Sequence, residues 1–503
     1  MRVGIVGAGV AGLCTAKVLR QVGHDVVVFD RTPDVGGVWS ASRRYPGVST
    51  QSAKDTYAFS DFGMPAHFPE WPSGEQVQSY LEAYAAHTGV DSVLRLRTEV
   101  THAVPAAGGG WDLTLAHDGA TSSERVDHLV VANGVFSQPF VPDFEGRAEF
   151  EAAGGRVCLA CEFLDAEQAR DRHTVVVGYG KSACDVAVAL ADDAASTTVV
   201  ARQLLWKVPR RIGGVVNFKH LLLTRLGEAL FRYVRLQGFE KVIHGPGNGL
   251  RRRMLDSLGP LSARQFKLRE LDLVPRGRFE DIVRGAIGLT TEGFFERVRD
   301  GVISVRRDMT VRRLGAVDGV PQAELADGSV VRADLVVCAT GFRQEVPFLD
   351  AEVAGRLRDD RGNFALYRQV LPLDVDDLTF AGYNSSFFSP LNAEMAAVWI
   401  AALLGGQLDL PGREEMRAHV AAQLDFMDAA TDGHHSHGTK IIPFSLHNMD
   451  EVLGDVGLDI GRGAKLKQWL GPVDPSAYGG VSTQMAARLA AGPPVAAPAR
   501  SSA

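Results

Sequence analysis

The 503-residue chain is 46% hydrophobic and 22% charged, which provides cores for two or three domains. Its 60 acids outnumber its 53 basic residues, and the net charge of −7 gives no signature of a nucleic-acid partner. Five cysteines, an odd number in a long chain, argue against a disulfide framework and point to a reducing cytoplasm. No run reaches the roughly 18 apolar residues of an integral membrane segment.

The first predicted element is an apolar strand, Val3 to Val6. It runs into Gly7-Ala8-Gly9-Val10-Ala11-Gly12 and then a helix-forming segment. A secretory leader would need a longer apolar core and a small-residue cleavage site, and neither follows. The spacing is that of a dinucleotide-binding turn. Gly7 makes the tight strand-to-helix turn, Gly9 lets backbone N–H groups approach a pyrophosphate, and Gly12 lets the helix pack on the strand. The helix N-terminus then stabilises the phosphate charge. The next strand, Val26 to Phe29, ends in Asp30. An acid about 20 residues past the glycines bonds a ribose diol and would repel a 2′-phosphate, so this site suits FAD.

A Gly/Pro/aromatic stretch follows over 43–75, with a predicted helix over 74–89. Strands over 93–135, with a loop at Gly108-Gly109-Gly110, end in Leu129-Val130-Val131-Ala132-Asn133-Gly134. A second turn follows Thr174 to Val177 and reads Gly178-Tyr179-Gly180-Lys181-Ser182-Ala183. The strand after it, Thr197 to Ala201, ends in Arg202, a residue suited to the 2′-phosphate of NADPH. A lone glycine turn is weak. Two, each behind a β-branched strand, imply two dinucleotides on one chain, an arrangement suited to electron transfer from a nicotinamide to a flavin.

The segment 334–342 mirrors 127–136: acid, apolar strand, small residue, glycine, aromatic. The expected fold is therefore α/β, with two Rossmann-like domains. An NADPH-binding domain over 166–334 is inserted into a discontinuous FAD-binding domain, 1–165 and 335–480. Residues 205–300 exceed what a minimal nucleotide domain needs and contain an amphipathic run with basic residues over 219–234. A helical insertion covering the active site is the preferred reading over a membrane-surface helix or a partner groove. The Ala/Pro-rich tail over 485–503 reads as disordered. Cys158-Leu159-Ala160-Cys161 admits a redox dithiol, and His434-His435-Ser436-His437 a metal site; an interdomain segment and a polar loop are the preferred readings.

The ordered set of motifs resembles the class B flavin-dependent monooxygenases, the flavin-containing and Baeyer–Villiger group. It consists of Gly7–Gly12, Gly36-Gly37-Val38-Trp39, Arg44-Tyr45-Pro46-Gly47, Ser60-Asp61-Phe62, Gly178–Ala183, Ala339-Thr340-Gly341-Phe342 and Pro347-Phe348-Leu349, spread over residues 1 to about 400. The resemblance adds Gly37, Trp39, Thr340 and Gly341 to the cofactor-binding residues. It also exposes two departures. The family's identifying stretch places a histidine where this chain has Leu159, between Gly155 and Phe163, and its Baeyer–Villiger form ends Trp-Pro rather than Phe163-Leu164. Four residues beyond Gly47 the family carries Asn or Asp, and this chain has Gln51. A glutamine keeps the amide but cannot ionise.

The resemblance implies an FAD- and NADPH-dependent monooxygenase acting through a C4a-(hydro)peroxyflavin on a small organic substrate and O2, and no catalytic triad. Heteroatom oxygenation, especially of an amine, is the preferred chemistry. Baeyer–Villiger oxidation or carbon hydroxylation is the alternative, and a non-oxygenating redox sensor or scaffold is an alternative of another class. Gln51 is the candidate to contact the nicotinamide or the flavin edge. A homodimer is compatible with the sequence, and the substrate has no recognisable code in it.

Overall fold

The computed structural model describes residues 1–284, 288–433, 435 and 445–492. The elements that position the site are β1 (Arg2–Val6), α1 (Val10–Gln21), β2 (Asp25–Phe29), α2 (Gly74–Thr88), β3 (Leu94–Arg95), β4 (His128–Val131), β5 (Arg156–Leu159), β6 (His173–Val177), α3 (Lys181–Ala191), β7 (Ser196–Ala201), α4 (Asn248–Gln265), β8 (Ile303–Arg307), β9 (Leu335–Cys338), β10 (Leu378–Phe380) and α5 (Ser389–Leu404).

Two five-stranded sheets form from these strands, in the orders β10-β4-β1-β2-β3 and β8-β7-β6-β9-β5. Every pairing in both is parallel. Short β-branched runs such as Val26-Val27-Val28 and Val175-Val176-Val177 suit strands covered on both faces, and their side chains are almost all buried. Each sheet has an antiparallel three-stranded companion. One is Thr98–Pro105, Trp111–His117 and Ala120–Val126; the other is Val311–Val317, Val320–Leu325 and Val330–Arg332.

The mirrored segments read in the sequence occupy equivalent places: β4 lies beside β1, and β9 beside β6. The sequence boundaries at 165 and 335 need correction on this point. Both β5 and β9 belong to the second sheet, with Cys158 opposite Val337 and Leu159 opposite Cys338. An apolar run states that it is a strand but not which sheet it joins; only the pairing decides that. The chain crosses between the units twice at one place, where Gln138-Pro139 pairs with Phe342-Arg343. It returns to the first sheet as β10.

The segment 205–300 is an insertion of mixed structure. It holds short strands, several short helices and the 18-residue helix α4. The expected amphipathic run over 219–234 is not one helix. It divides into Lys219–Leu222 and Arg225–Ala229, because Thr224 caps a new helix through the Gly227 N–H. A Cβ at Gly227 would lie 2.3 Å from the Leu221 carbonyl oxygen. Two of its basic residues are turned inward to acids: Lys219 to Asp55 and Glu70, and Arg225 to Asp450. The tail expectation also changes. Val481–Ala490 is a helix whose Val481 and Met485 are buried, and it packs on α5. Residues 493–503 lie outside the described residues.

Helix α5 is apolar all round because it is buried all round, packed against α1. Among the described residues no helix is long and apolar enough to cross a membrane. Its one acid, Glu394, is fully buried; it accepts from the Ser60 N–H at 2.9 Å and pairs with Lys17 of α1 at 3.4 Å. This fastens α5, α1 and the Ser60-Asp61-Phe62 loop together.

His447, on the helix Ser445–Asp455, clamps the insertion to the C-terminal helices. Its Nδ1 lies 2.6 Å from Glu228 and its Nε2 2.6 Å from Glu240. Burial opposes the charge, but the two carboxylates prevail and push the imidazolium up to about 10. Its stabilising contribution is complete below the ordinary value of 6.5 and is lost as pH rises through about 10. Replacing His447 by Gln is expected to lower stability by about 3–5 kcal/mol at neutral pH, as removal of one partner from a buried ionic cluster does. Melting temperatures from neutral to alkaline pH should converge with those of the wild type as the wild-type imidazolium loses its proton.

Candidate dinucleotide sites

The first site forms where β1 ends and α1 begins. Gly7 has φ of +119°, and a Cβ there would lie 2.3 Å from the carbonyl oxygen of Ala132, just past β4. A Cβ at Gly12 would lie 1.8 Å from the Gly7 carbonyl oxygen. Only glycine permits these two approaches. Gly9 differs: its Cβ would meet Gly37 Cα at 3.5 Å, an ordinary contact, so the protein itself does not require a glycine there. What the bare position provides is room, the feature a pyrophosphate cradle needs.

A cavity of about 500 Å3 opens over this turn. Gly7, Gly9, Asp30, Gly37 and Trp39 line it, all named in the sequence, whereas Gly12 lies beneath. Its far walls come from Asn133 and Phe348, within segments named in the sequence, and from Ser385, Ser389 and Ala393, which carry no recognisable motif. Asp30 Oδ2 accepts the Ala8 N–H at 2.6 Å, and its Oδ1 accepts the Thr32 N–H and hydroxyl at 2.9 and 2.7 Å. The carboxylate thus holds the glycine turn in shape. Trp39 donates from Nε1 to the Tyr57 hydroxyl at 3.2 Å and stacks edge-on against that ring.

The second site repeats the first. Gly178 has φ of +128°, and its Cβ would lie 2.5 Å from the Ala339 carbonyl oxygen, just past β9. Gly180 faces open space. Ala183 is fully buried, as a packing residue should be. Lys181, the first residue of α3, reaches Asp185 with 2.5 Å to each carboxylate oxygen. Asp185 is nearly inaccessible and also accepts the Thr291 hydroxyl at 2.5 Å and the Tyr45 hydroxyl at 3.4 Å. Tyr45 also bonds Ser182 at 3.1 Å. Burial pushes the Lys181 ammonium below its ordinary value, with Asp185 working against that shift. The sequence reading stopped at Ala183 and missed Asp185. Its signal was available in the i,i+4 spacing of Lys181 and Asp185 on a helix.

Arg202 ends β7 exposed, and it makes no ion pair or hydrogen bond among the described residues. Thr340 and Gly341 lie on the crossover rather than in the cavity wall. Thr340 Oγ1 donates to the Phe140 carbonyl, and Gly341 O accepts the Phe140 N–H at 2.9 Å.

Gln51 does not line the large cavity. Its Oε1 accepts the N–H of Leu289 at 3.1 Å, while its Nε2 donates to no described residue. Its neighbours tie the loop to both units. Ser49 accepts from Arg210 at 2.8 Å, and Ser52 donates to the Phe387 carbonyl at 2.6 Å.

Leu159, at the usual histidine position, is half-buried and packs with the core of the second sheet. Cys158 and Cys161 are free thiols. Burial pushes Cys158 up to about 11 and Cys161 upward as well, the reverse of what a redox-active thiolate needs. Of the histidine run, only His435 is described, and its N–H donates to Thr431 Oγ1 at 2.9 Å; His434 and His437 lie outside the described residues. Among the described residues no group of His, Cys, Asp and Glu could hold a metal ion.

Two dinucleotide sites of this geometry on one chain, one able to take a flavin, define a class of two-dinucleotide flavoprotein. Residues 1–243, which contain both glycine turns, match the family model FMO-like, flavin-binding monooxygenase-like. Human flavin-containing monooxygenase 3 is 24% identical over 84% of this chain and 77% of its own. A probable flavin-containing monooxygenase 1 of Arabidopsis thaliana is 25% identical over 91% and 92%. The fold matches a closed crystal structure of cyclohexanone monooxygenase, with a TM-score of 0.67 at 18% identity, over 93% of this chain and 98% of the other. It also matches the S-allyl-L-cysteine S-oxygenase of Allium sativum, with a TM-score of 0.61 at 19% identity, over 97% and 98%. These likenesses support an NADPH-dependent flavin monooxygenase of the class B type, with FAD and NADPH as its cofactors.

Gly9→Ala separates a ligand cradle from a structural turn. The substituted protein is expected to fold and melt, without added flavin, within about 2 °C of the wild type, since the added methyl meets only ordinary contacts. Flavin retained after gel filtration should fall by an order of magnitude or more. Gly12→Ala, by contrast, should yield little folded protein.

Proposed function

We propose that the chain oxygenates the nitrogen or sulfur of a small organic substrate, an amine first among them. FAD and NADPH, when bound, carry electrons from the nicotinamide to O2 and support oxygen transfer. The balance is one NADPH, one proton, one O2 and one substrate, giving NADP+, water and the mono-oxygenated product.

The chain's own residues have distinct tasks in this reading. The turn Gly7–Gly12 and the N-terminus of α1 hold the FAD pyrophosphate, Asp30 takes a ribose diol, and Gly37 and Trp39 close over the flavin side of the cavity. Gly178–Ala183 hold the NADPH pyrophosphate, with Lys181 as a cation of the turn, and Arg202 takes the 2′-phosphate. Thr340 and Gly341 fix the crossover that sets one site against the other. Gln51 stands on the loop bonded to both units and offers an unshared amide donor to the nicotinamide or the flavin edge.

The observation that carries the heteroatom preference is the neutral Gln51 where an ionisable residue would favour the Baeyer–Villiger reaction. Oxygen transfer to a soft nitrogen or sulfur calls for an oxidant kept neutral, and attack on a ketone for one kept anionic. Phe163-Leu164 in place of Trp-Pro points the same way. Incubation with NADPH, O2 and a panel of amines, sulfides and ketones, read by mass spectrometry, tests it. Products 16 mass units heavier from amines or sulfides support the reading; lactones or esters from ketones alone overturn it.

Two substitutions test the residue roles. Arg202→Ala removes charge-assisted bonds worth roughly 1.5–3 kcal/mol, so KM for NADPH should rise about 10- to 150-fold with little change for NADH. Equal changes for both cofactors would remove Arg202 from the phosphate site. Gln51→Leu should leave NADPH oxidation in place while H2O2 replaces product. Unchanged product per NADPH would return Gln51 to the sole task of supporting Leu289.

A further inference from the structure

We propose that Asp185 is a positioning residue of the nicotinamide-dinucleotide site, holding Lys181 at the second glycine turn and locking the Tyr45 loop and the 288–291 segment onto the same point. This rests on the reading of Gly178–Ala183 as the NADPH site. Lys181 by itself is poorly placed. It is the first residue of a helix, where the macrodipole disfavours a cation, and its side chain is largely withdrawn from water. Asp185, one turn on, offsets both penalties with a two-oxygen contact.

The same carboxylate collects two other parts of the chain. Tyr45 reaches it from the Arg44-Tyr45-Pro46-Gly47 loop of the first unit, and Gly47 passes so close to α3 that a Cβ there would touch Ala189 and the Asp185 carbonyl. Thr291 reaches it from the end of the insertion. Two residues before Thr291, Leu289 donates its N–H to Gln51. The residue proposed for the flavin edge and the cation proposed for the phosphates are therefore joined through one buried acid.

The charged surroundings of Lys181 are few. Asp185 and Cys184 lie on its own helix, Arg210 and Lys207, whose Nζ bonds the Tyr179 carbonyl at 2.8 Å, come from the insertion, and Tyr45 from the facing loop. Burial and Arg210 disfavour the ammonium, and Asp185 is the carboxylate that favours it. Without the Asp185 charge, Lys181 loses its proton at a lower pH, and the dinucleotide loses one of its cations.

Calorimetric titration of the FAD-loaded enzyme with NADP+ over about pH 6.5 to 9.5 reads this directly. The wild-type dissociation constant is expected to stay within about threefold across that range. In Asp185→Asn, which keeps an acceptor for Tyr45 and Thr291, it should rise about tenfold per pH unit above the lowered Lys181 titration and return toward wild type at the acid end. Binding near pH 8 should then take up a proton, seen as a dependence of heat on buffer ionisation. Asp185→Ser carries the same expectation should the amide variant fail to fold, and Asp185→Glu should restore the flat profile. Thr291→Val, which removes a donor but no charge, should leave it flat. Lys181→Met should weaken binding at every pH. A flat profile in the neutral Asp185 variants beside a weakened Lys181→Met overturns the proposal alone. No effect of Lys181→Met on NADP+ binding overturns the site reading beneath it.

Discussion

Both halves of the molecule depend on one close approach of backbone to backbone. At the end of β1 the Cα of Gly7 lies so near the Ala132 carbonyl that a side chain would stand 2.3 Å from its oxygen; at the end of β6 the same is true of Gly178 and Ala339, at 2.5 Å. In each case the strand that closes in is the neighbour of the glycine strand, and the chain passing beyond it forms the route between the units. The missing Cβ therefore does two things at once. It lets the strand turn tightly into a helix N-terminus, and it sets the strand edge from which the crossover departs. Had either position carried a side chain, the turn and the crossover would have moved together.

From that constraint the electrostatic arrangement follows. Each turn is held by an acid that is not on the turn itself. Asp30, past the next strand, accepts from the Ala8 N–H, and Asp185, one helical turn on, holds Lys181. The first acid faces the cavity and is free to meet a diol with its remaining lone pairs. The second is buried and spends its capacity on protein partners. This difference makes the first turn a rigid seat and the second a junction, where a loop of the first unit and a strand of the insertion meet the nucleotide helix. Gln51 lies between them, bonded on one side to the insertion and flanked by residues bonded to both units.

Much of the site was legible because it is local. The glycine turns and Asp30 follow from spacing along a few residues of chain, Gly37 and Trp39 from the short motifs of the resemblance, and Gly7, Gly9, Asp30, Gly37 and Trp39 all line the cavity. The mirrored strands were legible as strands, but their assignment to sheets was not, since β5 and β9 pair with each other and with β6 across long stretches of sequence. The run 219–234 read as one amphipathic helix because its periodicity was sound. Its break at Thr224 is a local cap on the Gly227 N–H, while the inward turn of Lys219 and Arg225 depends on Asp55, Glu70 and Asp450, none of which is near in sequence.

The sequence by itself determined the two glycine turns, their likeness to a family and the residue that ends the strand after each turn, because a tight turn is decided by which residues can lack a side chain and which can bond a neighbour. The tertiary structure decided the rest. It put β5 in the second sheet, packed the helix Val481–Ala490 onto α5, buried His447 between two acids and made Asp185 the meeting point of three segments. These depend on desolvation and on partners many residues apart, and a residue's burial is a property of the folded surface around it, not of its position along the chain.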